Sequence, residues 1–438
     1  MLKWILRIVL AFLLLPVVLV ALYWGWNWIQ LRPDAKFVSY LEQNASPVDL
    51  ATDAPFAIAP EDLNERLFLV GEVHGIKMGQ DIDFAMFRML NSRLGIRHYL
   101  GEFDPAQAAQ FNAYLADGDE AHLRRVFSVW VAGNYQWANR EFMDKLRKFK
   151  ALNDTLPAER KIVFIGMDRV QDMPLMAEHL GRLLAPIPEN TWPGQSSLVA
   201  ALASSGELTE NTPETPLVHA AVEALETLPL AAPEGSDPAN WKALHEALAN
   251  LADQARLKGR EAGITASFER LASDPDYADV QFYGFWGQFH VLDATIQGAE
   301  PFVRRLQAGD SAFKDNIVSF SILNLKSEMM MPAQSFGSKE PFVTIPYTMD
   351  SPLILFAKGI NEPKQAAVGP ITLFKINAEG SPYPSTDKLG SIGGLMSSLQ
   401  PFTMDAASVG PNGALQYLIL AEGSQALTPL TAKDVKLD

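Results

Sequence analysis

The sequence predicts an α/β protein with a mainly parallel central sheet flanked by helices, because three short apolar stretches alternate with helical patterns. Each stretch ends in glycine, followed directly or after one residue by an acid. The three ends read Gly71-Glu72, Gly101-Glu102 and Gly166-Met167-Asp168. Strands that alternate with helices in this way are typical of βαβ units. Later in the chain we expect a helical cap inserted into the sheet domain and a strand-rich C-terminal part.

Composition limits the class of function. Nearly half of the 438 residues (48%) are apolar, which is enough for a sizeable core. The net charge is −15 and no basic stripe is present, so we expect no nucleic-acid partner. The chain has no cysteine, which excludes disulfides, thiol catalysis and zinc–thiolate sites. Any metal would need His, Asp, Glu or water as ligands.

Residues 1–31 are predicted to form a transmembrane anchor. Lys3 and Arg7 precede an uncharged stretch, residues 8–31, that is long enough to cross a bilayer as a helix. Tryptophans near its end fit an aromatic belt at the membrane interface. Positive charge before the span predicts a single pass through a bacterial inner membrane, with a cytoplasmic N-terminus and a periplasmic main domain. A cleaved signal peptide is the alternative, and it also places the soluble part outside the cytoplasm.

The rest of the chain divides into a lead-in and one large domain. Residues 32–60, which end in an aperiodic stretch with two prolines, are predicted to form a stalk or linker. Residues 61–438 are predicted to form one α/β catalytic-like domain, with the helical insertion at about 174–278. Within this domain we expect strands at 67–70, 98–101, 161–165 and 280–286, and a late helix at 388–399.

Side chains able to do chemistry follow the predicted strands. The carboxyl ends of parallel strands share one edge of the sheet, where α/β proteins bind their ligands. This rule brings Glu72, Glu102 and Asp168 near one another. His74 joins them because it lies two residues after Glu72, and His290 follows the fourth strand in an equivalent position. An imidazole beside carboxylates can accept a proton from water or ligate a divalent metal.

Simpler roles stay open for the same residues. A carboxylate after a strand often caps the next helix or pairs with an arginine, and Asp104 is assigned mainly to such a cap. Asp168 next to Arg169 also fits a surface ion pair. His290, taken alone, fits a hydrogen-bonded loop histidine.

An aromatic-rich stretch from residue 130 to residue 142 offers further candidates. Asn134 and Trp137 follow Gly133, which suggests a break in the helix. These two residues are predicted to belong to a pocket wall, with ordinary core packing of the aromatic side chains as the alternative.

Several segments resemble the erythromycin esterase-like/ChaN-like superfamily, to which the Tiki-related proteins belong. Residues 71–75 (Gly-Glu-Val-His-Gly) resemble its opening motif, and residues 101–104 (Gly-Glu-Phe-Asp) resemble its second, acidic strand end. Residues 287–290 (Gly-Gln-Phe-His) are similar to the segment that carries its late histidine. The resemblance covers residues 66–172 and 280–293 and implies a parallel-sheet α/β fold with helical elaboration.

The resemblance also implies roles for the strand-end residues. The first histidine of the esterase branch activates water for ester or lactone hydrolysis. The Tiki branch holds a divalent metal at the equivalent residues for peptide hydrolysis, and the ChaN branch binds haem. Carried over, His74 is the general base, and Glu72 and Glu102 orient it or bind a cation. His290 polarises the substrate or stabilises the oxyanion, and in a metal site all four residues are the candidate ligands.

The predicted function is therefore a membrane-anchored, extracytoplasmic hydrolase that cleaves an ester, lactone or amide in a small molecule or a peptide. No Gly-x-Ser-x-Gly motif occurs, which favours direct attack by water over an acyl-enzyme. A divalent metal is the first candidate cofactor and haem the second. The alternative is an anchored protein that binds haem or another ligand without catalysis, and a third hypothesis is an inactive interaction protein.

Overall fold

The structure is a computed structural model that describes residues 2–203, 216–398 and 402–436. Its strands, in chain order, are β1 (Ala45–Pro47), β2 (Leu67–Glu72), β3 (His98–Gly101), β4 (Val163–Gly166), β5 (Phe282–Gly287), β6 (Ile317–Leu325), β7 (Ser327–Pro332), β8 (Phe342–Tyr347), β9 (Asp350–Ser351), β10 (Leu355–Ala357), β11 (Ile371–Lys375), β12 (Ile392–Gly393) and β13 (Tyr417–Glu422). Eight of them form the central sheet, in the order β1-β11-β13-β6-β2-β5-β3-β4. Every pair from β13 to β4 is parallel, whereas β1–β11 and β11–β13 are antiparallel.

The parallel centre of the sheet forms because its strands are apolar on both faces. Every residue of β2, β5 and β6 is buried. Strands of this kind need cover on both faces, which helical crossovers supply. The predicted α/β fold with a mainly parallel sheet is confirmed.

The helices flank this sheet and build the cap. In chain order they are α1 (Leu2–Gln30), α2 (Ala35–Gln43), α3 (Lys77–Leu94), α4 (Pro105–Asp117), α5 (Glu120–Ala132), α6 (Arg140–Thr155), α7 (Met173–Leu184), α8 (Gln195–Ala203), α9 (Pro216–Thr227), α10 (Pro238–Arg256), α11 (Arg260–Ala272), α12 (Phe302–Ala308) and α13 (Asn361–Ala366). Helices α7 to α11 lie between β4 and β5 in the sequence and form the helical insertion, as far as the described residues show it.

The C-terminal part is rich in strands, as predicted. β7 pairs with β8 in a hairpin, and β9, β10 and β12 form a small separate sheet. The helix expected at 388–399 is wrong for the described residues up to 398, which contain turns, β12 and a short 3₁₀ turn, Met396–Ser398. Glycine explains the difference, because Gly394 has a φ of +105°, a value that no helix contains.

The predicted stalk is corrected in part, because residues 35–47 fold onto the main domain. Asp34 caps α2 through a hydrogen bond from the Lys36 backbone N–H. Helix α2 then buries Phe37, Tyr40 and Leu41. β1 pairs with β11 at the edge of the central sheet. The amphipathic pattern of this short helix was hidden by the aperiodic segment that follows it.

Helix α1 is long and apolar enough to cross a membrane, over Phe12–Gln30. Its end is attached to the domain at two points. The Asn27 side chain donates a hydrogen bond to the Pro352 carbonyl over 2.8 Å, and the Asn361 side chain donates one to the Leu31 carbonyl over 2.7 Å. The chain therefore continues from α1 into the domain without a free linker.

Candidate active site at the carboxyl edge of the sheet

The order of the strands explains why distant parts of the chain meet at one edge. β2, β5, β3 and β4 are consecutive neighbours in the sheet and run parallel. Their carboxyl ends therefore lie side by side. A Cβ atom at Gly287 would lie 3.3 Å from Nε2 of His74 and 3.6 Å from Cδ2 of His290. Both imidazoles thus lie against the same glycine, which brings the two predicted histidines into one site.

His74 is held at one nitrogen. Its Nδ1 lies 2.7 Å from Oε1 of Glu72, and its ring packs edge-on against Trp137 with 4.3 Å between centroids. The described residues offer Nε2 no hydrogen-bond partner, and 29% of the side chain is exposed. Since an ionised carboxylate can only accept a hydrogen bond, this contact favours the tautomer with hydrogen on Nδ1 and a free lone pair on Nε2.

The acids around His74 make it a stronger base. Burial alone would lower the pKa of His74, but the hydrogen bond and charge of Glu72, together with the charge of Glu102, raise it above its ordinary value. The proximity of His290 opposes this rise. An imidazole with a raised pKa accepts a proton from water more readily, but it also stays protonated, and so unavailable as a base, up to a higher pH.

Glu72 has one oxygen left for a further partner. Its Oε2 is buried, and the described residues provide no hydrogen bond to it. This oxygen faces the first turn of α3, where a Cβ atom at Gly79 would lie only 2.7 Å away. A cavity of about 30 Å³ is lined by Glu72, Glu102, Lys145 and Trp137, among others. A polar cavity of this size holds a water molecule.

Below this cavity, a buried ion pair fixes α3 and α6 to the sheet. Nζ of Lys145 lies 2.5 Å from Oδ2 of Asp83, and both side chains are almost fully buried. The hydroxyls of Tyr99 and Tyr283 each donate a hydrogen bond of 2.8 Å to Asp83. Because both oxygens of the Asp83 carboxylate have hydrogen-bond partners, this ion pair is expected to be rigid and to support the site.

Arg260 is the cation that pairs with the other strand-end acids. Its Nε and Nη2 contact the two carboxylate oxygens of Asp168 at 2.9 and 2.7 Å. Nη2 also lies 2.5 Å from Oε1 of Glu102. The second oxygen of Glu102 accepts a hydrogen bond of 2.7 Å from the Gly287 N–H. Asp168 therefore pairs with Arg260 and not with its neighbour Arg169, as the surface-pair alternative would require.

His290 is enclosed on both sides by acids. Its Nε2 lies 3.2 Å from Glu102 and its Nδ1 lies 2.9 Å from Glu261, and only 5% of the side chain is exposed. Burial lowers the pKa of His290, but the two carboxylates raise it by more than burial lowers it, so that the pKa lies at about 9. The same pairing, with Arg260, holds the pKa of Glu102 well below its usual range despite burial. This raised pKa favours the imidazolium form of His290 at neutral pH.

Sequence reasoning missed Arg260 and Glu261, which begin α11 in the helical insertion. They reach the site because Gly259, with a φ of +91°, turns the chain into this helix. No strand end marks them in the sequence. The available signal was electrostatic, since several acids converging on one buried edge need a cation.

The remaining predicted residues divide into those that join the site and one that does not. Trp137 lies against His74, and Glu72, Glu102, Asp168 and His290 converge as described above. Asn134 is exposed in the turn after α5, with a φ of +53°, and does not line the cavity beside Glu72. Asp104 forms a capping box with Gln107 at the start of α4, which confirms the predicted helix cap.

The two candidate cofactors fit these residues poorly. Within the described residues no group of three or more His, Asp or Glu side chains is arranged to hold a metal ion. The guanidinium of Arg260 already neutralises Glu102 and Asp168, where a cation would otherwise bind. Haem needs a free imidazole nitrogen beside a wide apolar slot. Both nitrogens of His290 contact acids, and the cavity lined by Glu72 and Trp137 beside His74 has a volume of only about 30 Å³.

Comparison with solved structures identifies the class of fold. A succinoglycan biosynthesis protein superposes with a TM-score of 0.59 at 13% identity, over 90% of this chain and 98% of that chain. A Bacillus cereus protein gives 0.56 at 15% identity, over 91% and 100%. No protein-family model and no curated protein matches the sequence.

The third similar structure is that of an esterase. A variant of erythromycin esterase EreC, in its open conformation, gives a TM-score of 0.54 at 16% identity, over 83% of this chain and 92% of that chain. The chain thus shares the fold of these structures, which include an erythromycin esterase, as the resemblance of its strand-end motifs predicted.

Proposed function

We propose that this protein is a membrane-anchored hydrolase that uses His74 to activate water for the cleavage of an ester, lactone or amide. The observation that carries the proposal is the geometry of His74. Glu72 fixes Nδ1 at 2.7 Å, while Nε2 has no partner among the described residues and the ring is 29% exposed. A base held in one tautomer with an accessible lone pair is what proton abstraction from water requires.

The proton and the bonds can be followed through the reaction. Nε2 of His74 takes a proton from water as the oxygen attacks the carbonyl carbon. The resulting imidazolium is stabilised by Glu72 and gives that proton to the leaving oxygen or nitrogen when the tetrahedral intermediate collapses. The products are a carboxylic acid and an alcohol or amine. No covalent acyl-enzyme is needed.

Arg260 is better placed than His290 to stabilise the oxyanion. Both nitrogens of His290 contact carboxylates, so it acts here as a positioning residue that holds Glu102. The Arg260 side chain is 32% exposed, and the one polar contact of Nη1 within hydrogen-bond distance among the described residues is Nε2 of His290, 3.2 Å away. A protonated His290 cannot accept from Nη1, which leaves these hydrogens free for a developing negative charge.

The decisive experiment compares His74 with a second histidine that is paired with a carboxylate. His122 lies 3.1 Å from Asp117 and is 28% exposed, so it matches His74 in exposure, but its other ring nitrogen lies 2.7 Å from the Gln110 side chain and is not free. With a panel of ester, lactone and amide substrates, His74→Ala should lower kcat/KM by about 10²–10⁴-fold, and His122→Ala should leave it unchanged. Far-UV circular dichroism checks that both variants fold. Equal rates for the two variants, or no turnover of any substrate, would contradict the proposal.

The location is tested separately. We propose a single pass through a bacterial inner membrane, with the N-terminus in the cytoplasm and the main domain in the periplasm. The chain has no cysteine, so Leu230→Cys, at a position 93% exposed, provides a single reactive thiol. A membrane-impermeant maleimide should label it in cells whose outer membrane alone is permeable. Labelling only after lysis of the inner membrane would place the domain in the cytoplasm.

A further inference from the structure

Two segments of the C-terminal part form an exposed apolar surface. Ile354 is 55% exposed, Leu395 49% and Met396 37%. The segments that carry them are held together by backbone hydrogen bonds of 2.9 Å, from Leu395 N–H to Leu353 O and from Met396 N–H to Ile354 O. We call residues 352–354 and 394–396 the apolar tip.

The apolar tip is a built structure. Gly394 has a φ of +105°, and a Cβ atom there would lie 2.4 Å from the Ile354 carbonyl oxygen. Only glycine therefore allows the two segments to approach this closely. Neither residues 351–357 nor residues 391–398 contain a charged side chain. The exposed side chains of Ile354, Leu395 and Met396 thus lie on two closely packed segments that contain no charged residue.

The position of the apolar tip follows from its contact with α1. Asn27 lies inside the apolar span Phe12–Gln30 and donates its side-chain hydrogen bond to Pro352. At 1.5 Å rise per residue, Asn27 lies about 4–5 Å before the end of that span. The backbone at Pro352 is therefore level with the last turn of α1, where Trp26 and Trp28 are exposed. Tryptophan at this level is typical of the membrane interface.

We propose that the apolar tip inserts into the bilayer interface beside α1, so that the domain rests on the membrane in a fixed orientation. This inference rests on the proposed anchoring by α1. Its occupant is the phospholipid bilayer, because the tip continues the apolar surface of a helix that is itself suited to lipid. A second protein chain is a weaker candidate, since three side chains offer much less area than a stable interface buries.

The test uses the full-length chain in vesicles of phosphatidylethanolamine and phosphatidylglycerol. Leu395→Cys and Ile354→Cys each carry an environment-sensitive fluorophore, and the matched control is Leu230→Cys in the helical insertion. Quenching is measured with nitroxide on the lipid acyl chains and with iodide in the water. We expect a blue-shifted emission, several-fold stronger lipid quenching and several-fold weaker iodide quenching at 395 and 354 than at 230.

The outcomes separate the two proposals. Vesicle-bound chain whose label at 395 is quenched by iodide as strongly as the label at 230 would overturn the insertion and leave the anchor intact. A label shielded from both quenchers would also overturn it, because a second protein copy would then cover the apolar tip. Chain that fails to float with the vesicles would overturn the anchoring and, with it, this inference.

Discussion

His74 and His290 both follow parallel strands, both contact a glutamate and both lie against Gly287, yet their environments differ. His74 has one acidic partner, Glu72, and a partly exposed ring, whereas His290 is enclosed by two acids and buried. The first arrangement leaves a nitrogen available for a reaction, and the second satisfies both nitrogens. The proposed base, His74, therefore keeps one ring nitrogen free, whereas both ring nitrogens of His290 contact carboxylates.

Removal of Arg260, the cation beside the enclosed His290, should have the largest effect on stability. Arg260→Met leaves the buried carboxylate of Asp168 without its cation and removes one of the two cationic partners of Glu102, which should lower the free energy of unfolding by about 3–5 kcal/mol. Urea titration of the detergent-solubilised chain measures the change. The loss should be smaller at pH 5 than at pH 7, because the freed carboxylates can then take up protons.

An exposed arginine with similar contacts is the control for this prediction. Arg147 also makes hydrogen bonds of 2.7–2.8 Å to two acids, Glu120 and Asp144, but it is 38% exposed. Arg147→Met should cost at most about 1 kcal/mol. Equal losses in the two variants would show that the carboxylates around Arg260 are hydrated and not part of a closed network.

Arg260 also shows which part of the site could be predicted from the sequence and which could not. Glu72, His74, Glu102 and His290 could be predicted because strand ends in a parallel sheet share an edge. Arg260 could not, because it lies 158 positions from Glu102 in a helical insertion whose docking depends on tertiary packing.

Two other segments have local structure that the sequence pattern does not indicate. Asn134 has a polar side chain among aromatic residues, which predicts a pocket wall, and its positive φ places it in the turn after α5. The stalk was predicted from prolines, although the amphipathic helix α2 that precedes them packs onto the domain. Burial of a single helical face was enough to override that local signal.

The enclosed histidine should make stability depend on pH in the alkaline range. The pKa of His290 is about 9 in the folded protein against an ordinary value of 6.5, so the folded state binds its proton more tightly. This contribution is complete below pH 6.5 and is lost as the pH rises through 9. We expect the wild-type free energy of unfolding to fall by about 3 kcal/mol over that range, and His290→Gln to remove most of this fall.

A histidine with the opposite shift provides the comparison for His290. Burial lowers the pKa of His98 to about 4, so its neutral form is favoured in the folded state and stability is lost as the pH falls below 6.5. His98→Gln should therefore change only the acid side of the stability profile. An unchanged alkaline slope in His290→Gln would mean that His290 is neutral in the folded protein.

At the partly exposed histidine, Glu72→Gln should make His74 a weaker base without unfolding the domain. The hydrogen bond and charge of Glu72 raise the pKa of His74, so their loss should move that pKa downwards and lower kcat/KM by about tenfold or more. Reaction of His74 with diethyl pyrocarbonate, followed by mass spectrometry, measures this pKa without a substrate. The midpoint of the reaction should move to lower pH, and a midpoint that moves upwards would exclude Glu72 as the partner of His74.

The smallest effect is expected from a methyl group placed against Glu72. Gly79→Ala would put a Cβ atom 2.7 Å from Oε2 of Glu72, so the carboxylate must move, and with it the hydrogen bond that orients His74. Gly181→Ala in α7 meets no atom within 4 Å and should stabilise the protein by about 0.5–1 kcal/mol through helix propensity. If the hydrogen bond between Glu72 and His74 depends on the position of the Glu72 carboxylate, Gly79→Ala should lack this gain in stability. It should also shift the midpoint of the reaction of His74 with diethyl pyrocarbonate. A normal midpoint together with the full gain in stability would mean that Glu72 tolerates displacement, and the contrast between the two histidines would then rest on burial alone.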